Sequence, residues 1–292
     1  MTPTQPGYRS EAKAEAPEVK LQVLVCTIGR EGMERFLATD RPQVEGVQYL
    51  VSWQQPDPTL EIPARSDITV ITSDTSGLSV NRNLAMEAAT APYCLIGDDD
   101  VAYSASGLAE LMYAFDTRPD LDVAALRYTC NGRYIKPYSE NPFNLNWPVK
   151  GWYPTSFELA YRRESPAGRI RFNERLGLGA EHLKAGEEDV WLFDALQLGT
   201  RVAMRKRDDN AHQALFLPIT IGAHDHPTTA ERHAAEPWLA ETHGAVMSHI
   251  HPGDWRLRCL VHGWRSPHFS TLRYMRLCLQ GAKYARKHKI FK

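Results

Sequence analysis

Short apolar runs alternate with helical patterns between residues 21 and 128 of this 292-residue chain. The runs are rich in β-branched residues, as buried strands are, and the segments between them have helical periodicity. The predicted strands are residues 21–27, 47–53, 68–71, 93–96 and 123–128, and the predicted helices are residues 33–38, 80–89 and 106–115. This order of strands and helices predicts a mostly parallel sheet that helices cover on both faces.

The rest of the chain is less regular. Residues 131–154 are rich in Asn, Pro, Tyr and Trp without a clear period, and predict an irregular loop of a size that is often functional. The next predicted elements are a strand over residues 157–162, a helix over residues 186–198, a strand over residues 202–205 and a mostly helical last block. We therefore expect a disordered lead-in over residues 1–19, an α/β domain over residues 20–231 and a basic, mostly helical extension over residues 232–292.

Sequence composition indicates the cellular compartment of such a chain. Its longest apolar runs are far shorter than the roughly 20 residues of a membrane-spanning helix, and its N-terminus lacks the apolar core of a signal peptide. We therefore expect a cytoplasmic protein. The five cysteines form no CxxC pair, which argues against a disulfide framework and against a zinc site, and predicts reduced residues that lie mostly in the core.

Charge is distributed unevenly along the chain. The stretch from Trp255 to Lys292 holds ten Lys or Arg and no acid, whereas the preceding residues carry 24 basic and 35 acidic side chains. A basic end on an acidic body suggests attraction to an anionic surface, and the interleaved aromatic residues favour a membrane interface. The acidic body makes nucleic acid the less favoured partner. The alternative is a solvated helical face.

Three consecutive acids, Asp98, Asp99 and Asp100, follow the strand over residues 93–96. Ligands of open α/β sheets bind beyond the C-terminal ends of the strands, where these acids lie. Neighbouring carboxylates repel one another unless a cation neutralises them, and hard oxygen ligands suit Mg²⁺ or Mn²⁺. Asp98 and Asp100 would point to one side and bind a metal with its phosphates. The alternative is a solvated acidic turn that caps the next helix.

Two further segments add candidate ligands. Residues 77–83 combine a turn, a helix start and Arg82, and both a helix N-terminus and arginine favour phosphate. Residues 223–229 hold a His cluster, and a neutral His can complete a metal site that carboxylates begin. The alternative for this cluster is a polar turn with one hydrogen-bonded His.

Four segments in order resemble the family 2 glycosyltransferases. They are residues 27–30 (TIGR), Asp74 with residues 77–83, the acids at 98–100, and residues 172–179 (FNERLGLG) followed by residues 186–189 (GEED). The resemblance covers about residues 20 to 230. It implies a GT-A-like, Rossmann-type sheet flanked by helices, with a C-terminal helical appendage, that binds a nucleoside diphosphate and a metal through a DxD motif.

The resemblance also implies roles for single residues. The residues implied to bind the nucleotide-sugar are Thr27, Arg30, Gln54, Asp74, Arg82, Asp98 and Asp99. The residues implied to bind the metal are Asp98, Asp100 and His224. His224 is chosen over His226 because its spacing to the following Thr pair matches that in the family. Asp189, or failing that Glu188, is the implied general base. The first motif has Ile28 where the family usually has Tyr, which weakens the case for base stacking there.

The predicted function is therefore metal-dependent transfer of a sugar to an acceptor hydroxyl, with inversion. The predicted cofactor is Mn²⁺ or Mg²⁺, which would stabilise the departing diphosphate while a carboxylate takes the acceptor's proton. A UDP-sugar is the favoured donor, a saccharide or lipid-linked molecule is the expected acceptor, and bacterial surface polysaccharide or glycolipid synthesis is the expected pathway. Residues 187–189 also complement a helix dipole, and both roles can hold together.

Three alternatives compete with this function. A metal phosphohydrolase is suggested by the His224-Asp225 pair, but the strand-terminal acids argue against it. A nucleotidyltransferase would need a glycine-rich phosphate loop after the first strand, which is missing. An inactive sugar-binding module would be expected to lack Asp100 or Asp189.

Overall fold

The computed structural model describes residues 18–145, 154–206, 213–226 and 229–291. The strands are β1 (Leu21–Ile28), β2 (Val47–Gln54), β3 (Ile68–Ser73), β4 (Tyr93–Asp98), β5 (Ala102–Tyr103), β6 (Leu121–Thr129), β7 (Phe143–Asn144), β8 (Leu159–Arg162) and β9 (Gln213–Ala223). The helices are α1 (Gly29–Ala38), α2 (Leu78–Ala88), α3 (Ala105–Thr117), α4 (Glu187–Lys206), α5 (Thr229–Arg232), α6 (Pro237–Ile250), α7 (Trp255–Arg265) and α8 (Thr271–Lys287). Most of the predicted lead-in, residues 1–17, lies outside the described residues.

The described strands form one sheet in the order β3-β2-β1-β4-β8-β6-β9-β5, and β7 also pairs with β9. Strands β1 to β4 are parallel to one another, and β6 is parallel to β9. Because β8 is antiparallel to both β4 and β6, the β6–β9 pair has the same direction as β1 to β4. The predicted mostly parallel sheet is confirmed.

Strand β1 shows why the sheet is covered on both faces. Its first seven residues are all buried, and the five apolar ones divide between two apolar clusters. On one face Val23 and Val25 pack in the cluster that includes Phe36 of α1. On the other face Leu24 and Cys26 lie in the cluster that includes Trp191 of α4. Each fully buried large side chain contributes about 1.5–3 kcal/mol, so both helical layers stabilise the sheet.

The last helices pack against one another and against the rest of the chain. Glycine permits the close crossing of α6 and α8, because a Cβ at Gly281 would lie 1.8 Å from the carbonyl oxygen of Glu241. Val246 of α6 packs with Leu176 and with Val190 of α4. The predicted C-terminal helical appendage is confirmed, and it adjoins the segment that leads into α4. No helix in the described ranges is both long and apolar enough to span a bilayer.

Two sequence predictions are wrong in this part of the chain. The strand predicted over residues 202–205 is instead the last turn of α4, because the buried spacing of Trp191, Ala195 and Gly199 continues the helical period. The returning strand is β9, which contains the apolar run at residues 215–221. The strand predicted from residue 157 begins as a 3₁₀ turn over Ser156–Glu158 and becomes extended only at β8.

Two of the five cysteines lie close together, although no CxxC pair predicted a zinc site. Cys26 and Cys94 are buried core residues, as expected. Cys259 and Cys278, however, lie with His243 in one cluster whose ligand atoms are all within 4.8 Å of one another. Sequence spacing gave no sign of it, because the three residues come from three different helices.

Candidate active site

The acidic turn after β4 is held in place by buried polar contacts. The Thr27 hydroxyl donates a hydrogen bond of 2.6 Å to Asp99, and the Arg35 guanidinium donates two more of 3.1 Å each. Arg41 donates to the carbonyl oxygens of Asp99 and Val101. Burial raises the pKa of Asp99, although the hydrogen bonds from Arg35 and Thr27 oppose that shift. Asp99 therefore shapes the turn, and its carboxylate is already engaged by the protein.

Asp100 meets His224 at the edge of the sheet. Its Oδ2 lies 3.3 Å from Nε2 of His224, which follows the end of β9. The backbone N–H of His224 donates to the carbonyl oxygen of Thr129, and its ring packs 5.2 Å from that of Phe157. The Nδ1 atom of His224 is buried and makes no hydrogen bond within the described ranges. The contact brings together two residues that are 124 positions apart in the sequence.

Asp98, the first acid of this turn, contacts Arg82. Its Oδ1 lies 3.3 Å from Nη2 of Arg82, a buried side chain that also donates 2.7 Å hydrogen bonds to Glu187 and Ser156. Burial alone would lower the pKa of Arg82, but the charges of Asp98 and Glu187 outweigh it and raise the pKa. Arg82 therefore joins α2, β4 and the start of α4 beneath the site, and its guanidinium is engaged by protein groups.

The structure brings together only part of the predicted metal set. Asp100 and His224 are in contact, whereas the Asp98 side chain is held by Arg82. Three other potential metal ligands do lie close together in the described part of the chain. They are His243, Cys259 and Cys278, whose ligand atoms are all within 4.8 Å of one another.

The first turn of α4 presents two carboxylates with perturbed acidity. Burial, with the charges of Glu187 and Asp189, raises the pKa of Glu188 well above its usual range. Burial and Glu187 also raise the pKa of Asp189 to about 6, against the opposing charges of His243 and Lys136. Oε2 of Glu188 is buried without a hydrogen-bond partner in the described part of the chain. Carboxylates with raised pKa values are characteristic of catalytic acids and bases.

Two glycine-containing turns bring the site's helices together. Gly77 precedes α2 with a φ of +104°, and a Cβ at Gly179, whose own φ is +89°, would lie 2.8 Å from the Gly77 Cα. The Ser79 hydroxyl donates to the carbonyl oxygen of Leu176 at 2.7 Å. These contacts fix the segment before α4 against the N-terminus of α2.

Three predicted nucleotide-sugar residues lie outside these contacts. Arg30 is exposed and forms an ion pair of 3.0 Å with Asp57. Gln54 is buried at the end of β2 and donates to Thr75 at 2.8 Å. Asp74 is exposed just after β3. All three follow strand ends on the same side of the sheet as the acidic turn, since β1, β2, β3 and β4 are parallel.

Comparison with known proteins shows the fold and a similarity to one family. The family model described as "Glycosyl transferase family 2" matches residues 48–174. Residues 48–174 are therefore similar to a family 2 glycosyltransferase domain. A search of curated protein sequences finds no significant match.

Solved structures support the GT-A-like fold of this glycosyltransferase. It is similar to S. aureus TarS 1-349, with a TM-score of 0.53 at 16% identity over 92% of each chain. The same values apply to TarS 1-349 in complex with UDP-GlcNAc. The match to a longer S. aureus TarS structure has a TM-score of 0.55 at 15% identity and covers 89% of this chain and 55% of that one.

A buried ion pair beside the site was missed by sequence reasoning. Glu158 is completely buried, accepts hydrogen bonds from Tyr138 and from both the backbone and hydroxyl of Thr155, and pairs with Lys136. It thereby ties the loop after β6 to the 3₁₀ turn next to His224. The Thr-x-x-Glu spacing of a capping box was the available signal, and the structure forms that box.

We expect Glu158→Ala to lower the free energy of unfolding of the protein by about 3–5 kcal/mol, because it removes a buried carboxylate that pairs with Lys136 and accepts hydrogen bonds from Tyr138 and Thr155. The matched control is Glu140→Ala, whose carboxylate is 76% exposed beside Arg127 and should contribute about 0–1 kcal/mol. Urea unfolding measures both variants. Equal, small losses would show that Glu158 does not stabilise this loop.

Proposed function

We propose that this glycosyltransferase moves a sugar from a nucleoside-diphosphate sugar to an acceptor hydroxyl by a metal-dependent, inverting displacement. The observation that carries the proposal is the junction of Asp100 with His224 beyond the C-terminal ends of β4 and β9. This is where open α/β sheets bind ligands. The half-buried candidate bases of α4 directly follow Glu187, and Arg82 connects Glu187 to Asp98 of the acidic turn.

The donor is proposed to be a UDP-sugar. The similar TarS fold is known in complex with UDP and with UDP-GlcNAc, which supports a uridine nucleotide here. Thr27 and Gln54 lie near the C-terminal ends of two adjacent parallel strands, and α2 begins after Gly77. The nucleotide is proposed to bind at this edge of the sheet, where the positive end of the α2 dipole favours phosphate. Because Arg82 is engaged below this edge, its proposed role is to orient Asp98 rather than to contact the diphosphate directly.

Asp100 and His224 fit a divalent ion. One carboxylate and one imidazole already lie 3.3 Å apart, and the remaining ligands of Mg²⁺ or Mn²⁺ can come from water and phosphate. Asp98 does not fit this pair, because Arg82 and Ser156 hold its carboxylate. When bound, the ion would supply charge that stabilises the departing diphosphate.

Asp189 is the proposed general base, with Glu188 as the alternative. A base works best when its pKa lies near the working pH, and burial shifts Asp189 in that direction. A single carboxylate that removes the acceptor's proton suits a one-step displacement, which inverts the configuration at the sugar C1. Burial and the charges of Glu187 and Asp189 raise the pKa of Glu188 well above its usual range, which keeps it as the alternative.

The pH dependence of kcat follows from this assignment. Asp189 is ionised above about pH 6 and protonated below it, because burial and the Glu187 charge raise its pKa while His243 and Lys136 oppose them. Only the ionised form accepts a proton, so kcat should fall about tenfold per pH unit below about pH 6. Rates at saturating donor and acceptor measure this, with donor affinity followed across the same range. A kcat that stays constant through that range would exclude Asp189 as the base.

The donor class can be tested without knowing the acceptor. Ligands that bind only the folded state raise the apparent melting temperature. Full-length protein should be stabilised by UDP-sugars with Mn²⁺ or Mg²⁺, and much less after chelation. Stabilisation by no nucleotide-sugar, with or without the ion, would contradict the proposed function.

We also propose that α7 docks the enzyme on an anionic lipid surface, where a lipid-linked acceptor would be presented. Its outward side carries apolar residues at i, i+3, i+4 and i+7, of which Leu257 is 61% and Trp264 is 75% exposed. The other two are Leu260 and Val261. Arginines flank this stripe on both sides, as in helices that lie in a membrane interface. This placement supports a role in surface polysaccharide or glycolipid synthesis.

Vesicle co-sedimentation tests the docking proposal. Full-length protein should bind phosphatidylglycerol vesicles at low salt, and binding should weaken as salt screens the charges. Leu260→Ser with Trp264→Ser should reduce binding about 100- to 10,000-fold, since each of the two buried apolar side chains contributes about 1.5–3 kcal/mol. The control Tyr113→Ser, on α3 and 70% exposed, should bind like wild type. Wild-type protein that ignores these vesicles, or that binds nucleic acid instead, would overturn it.

A further inference from the structure

Three helices of the C-terminal block place sulfur and nitrogen ligands in one pocket. His243 lies on α6, Cys259 on α7 and Cys278 on α8, and their ligand atoms are all within 4.8 Å of one another. Both cysteines are completely buried, and His243 is half-buried. The Nδ1 atom of His243 lies 3.9 Å from Sγ of Cys259. Nothing in the proposed transfer reaction uses these three side chains.

The spacing of these atoms suits a tetrahedral ion. Zinc holds thiolate sulfur at about 2.3 Å and imidazole nitrogen at about 2.0–2.1 Å, so tetrahedral ligands lie about 3.3–3.8 Å apart. The observed 3.9 Å between nitrogen and sulfur is close to this value and needs only a small contraction. Two thiols and an imidazole form a soft donor set that prefers Zn²⁺ to Mg²⁺ or Mn²⁺.

A fourth ligand is available on the same helix as Cys259. His262 is three residues further along α7, on the same side, and its ring centre lies 4.6 Å from that of His243. His262 is exposed, so the pocket has a side from which an ion can enter. The Tyr274 hydroxyl lies 2.9 Å from Nδ1 of His243, a contact that this nitrogen would exchange for the ion.

We propose that His243, Cys259, Cys278 and His262 form a structural zinc site that joins α6, α7 and α8. Binding of Zn²⁺ releases the two thiol protons to solvent, and the imidazoles bind as neutral ligands. The site is separate from the Asp100–His224 pair and prefers a different ion.

The position of the site gives it a consequence for the active site. A Cβ at Gly244, next to His243, would lie 2.2 Å from the carbonyl oxygen of Cys278, so α6 and α8 are in tight contact at the cluster. Two residues further along α6, Val246 lies against Gly186, where a Cβ would come within 2.8 Å of it. Gly186 directly precedes α4. Zinc would therefore fix the helix that supports the two candidate bases.

Metal analysis of the full-length protein tests this site. Protein purified without chelator should contain one zinc per chain, and replacement by Co²⁺ should give the thiolate-to-cobalt charge-transfer absorption of a sulfur-ligated ion. Cys259→Ser and Cys278→Ser should each abolish both signals. Cys130→Ser is the matched control, because this cysteine lies outside the cluster and is half-buried, and it should keep the zinc. His262→Ala should keep the charge-transfer band but shift the ligand-field bands.

The wild-type measurement tests the proposal even if a serine variant fails to fold. Wild-type protein that binds neither zinc nor cobalt through sulfur would overturn the proposal. A Cys259–Cys278 disulfide in protein purified without oxidant would also overturn it. Retention of zinc in both serine variants would assign the ion to other residues.

Discussion

Asp189→Asn should reduce kcat by about 10²–10⁴-fold while leaving the dissociation constant of the donor nearly unchanged. The amide keeps the size and shape of the carboxylate but cannot take the acceptor's proton, and general base catalysis typically contributes a factor of this size. Steady-state kinetics gives kcat, and calorimetry with the nucleotide-sugar gives donor affinity. This combination separates a lost proton acceptor from a lost binding site.

Asp194→Asn is the matched control for this substitution. Asp194 lies on the same helix, one and a half turns further on, and is half-exposed beside Nε2 of His249 at 3.2 Å. It should leave kcat within about twofold, as expected of a surface pair. If Asp189→Asn is active and Glu188→Gln is not, the base is Glu188. If neither matters, residues 186–189 do not form the acceptor-side motif.

Asp100→Ala should lower the metal-dependent affinity for a nucleoside diphosphate by more than about 100-fold. Loss of an outer partner of a metal ligand already reduces metal affinity about 10- to 100-fold, so loss of a direct ligand should do more. The fold should persist, because removing Asp100 also relieves repulsion from the adjacent acids. Titration calorimetry with UDP, with and without Mn²⁺, measures the effect.

Asp116→Ala provides the control for the acidic turn. Its carboxylate is partly exposed and lies 2.8 Å from Lys20, near Tyr93, where β4 begins. This is the opposite end of the strand from Asp100, so metal-dependent binding should be unchanged. Equal affinities in Asp100→Ala and wild-type protein would mean that Asp100 does not bind the ion.

The sheet could be predicted from local pattern because each strand carries its own signal. Strands β1 to β4 are largely apolar, and the helices between them keep one apolar side. The order of these elements along the chain and a mostly parallel sheet could therefore be predicted. The end of α4 could not be placed in this way. The sequence predicted a helix that ends at residue 198 and a strand over residues 202–205, whereas α4 continues to Lys206 and packs through Trp191 and Ala195.

The site was predictable as a set of segments but not as a set of contacts. The Asp triplet was found by residue type and position and His224 by its spacing to a Thr pair in relatives, and the structure brings Asp100 and His224 into contact. Nothing local shows that Asp98 would face Arg82, because their contact depends on Glu187 and Ser156 from distant parts of the chain. The cluster of His243, Cys259 and Cys278 was hidden for the same reason.

Cleavage of a UDP-sugar in ¹⁸O-labelled water tests the central claim most directly, because water can replace an unknown acceptor. We predict slow release of UDP that requires Mn²⁺ or Mg²⁺ and is lost in Asp100→Ala. The heavy oxygen should appear in the free sugar, because the bond at the sugar C1 breaks. Release of UMP with the label in phosphate would show cleavage at phosphorus. That result would contradict glycosyl transfer and favour a phosphohydrolase.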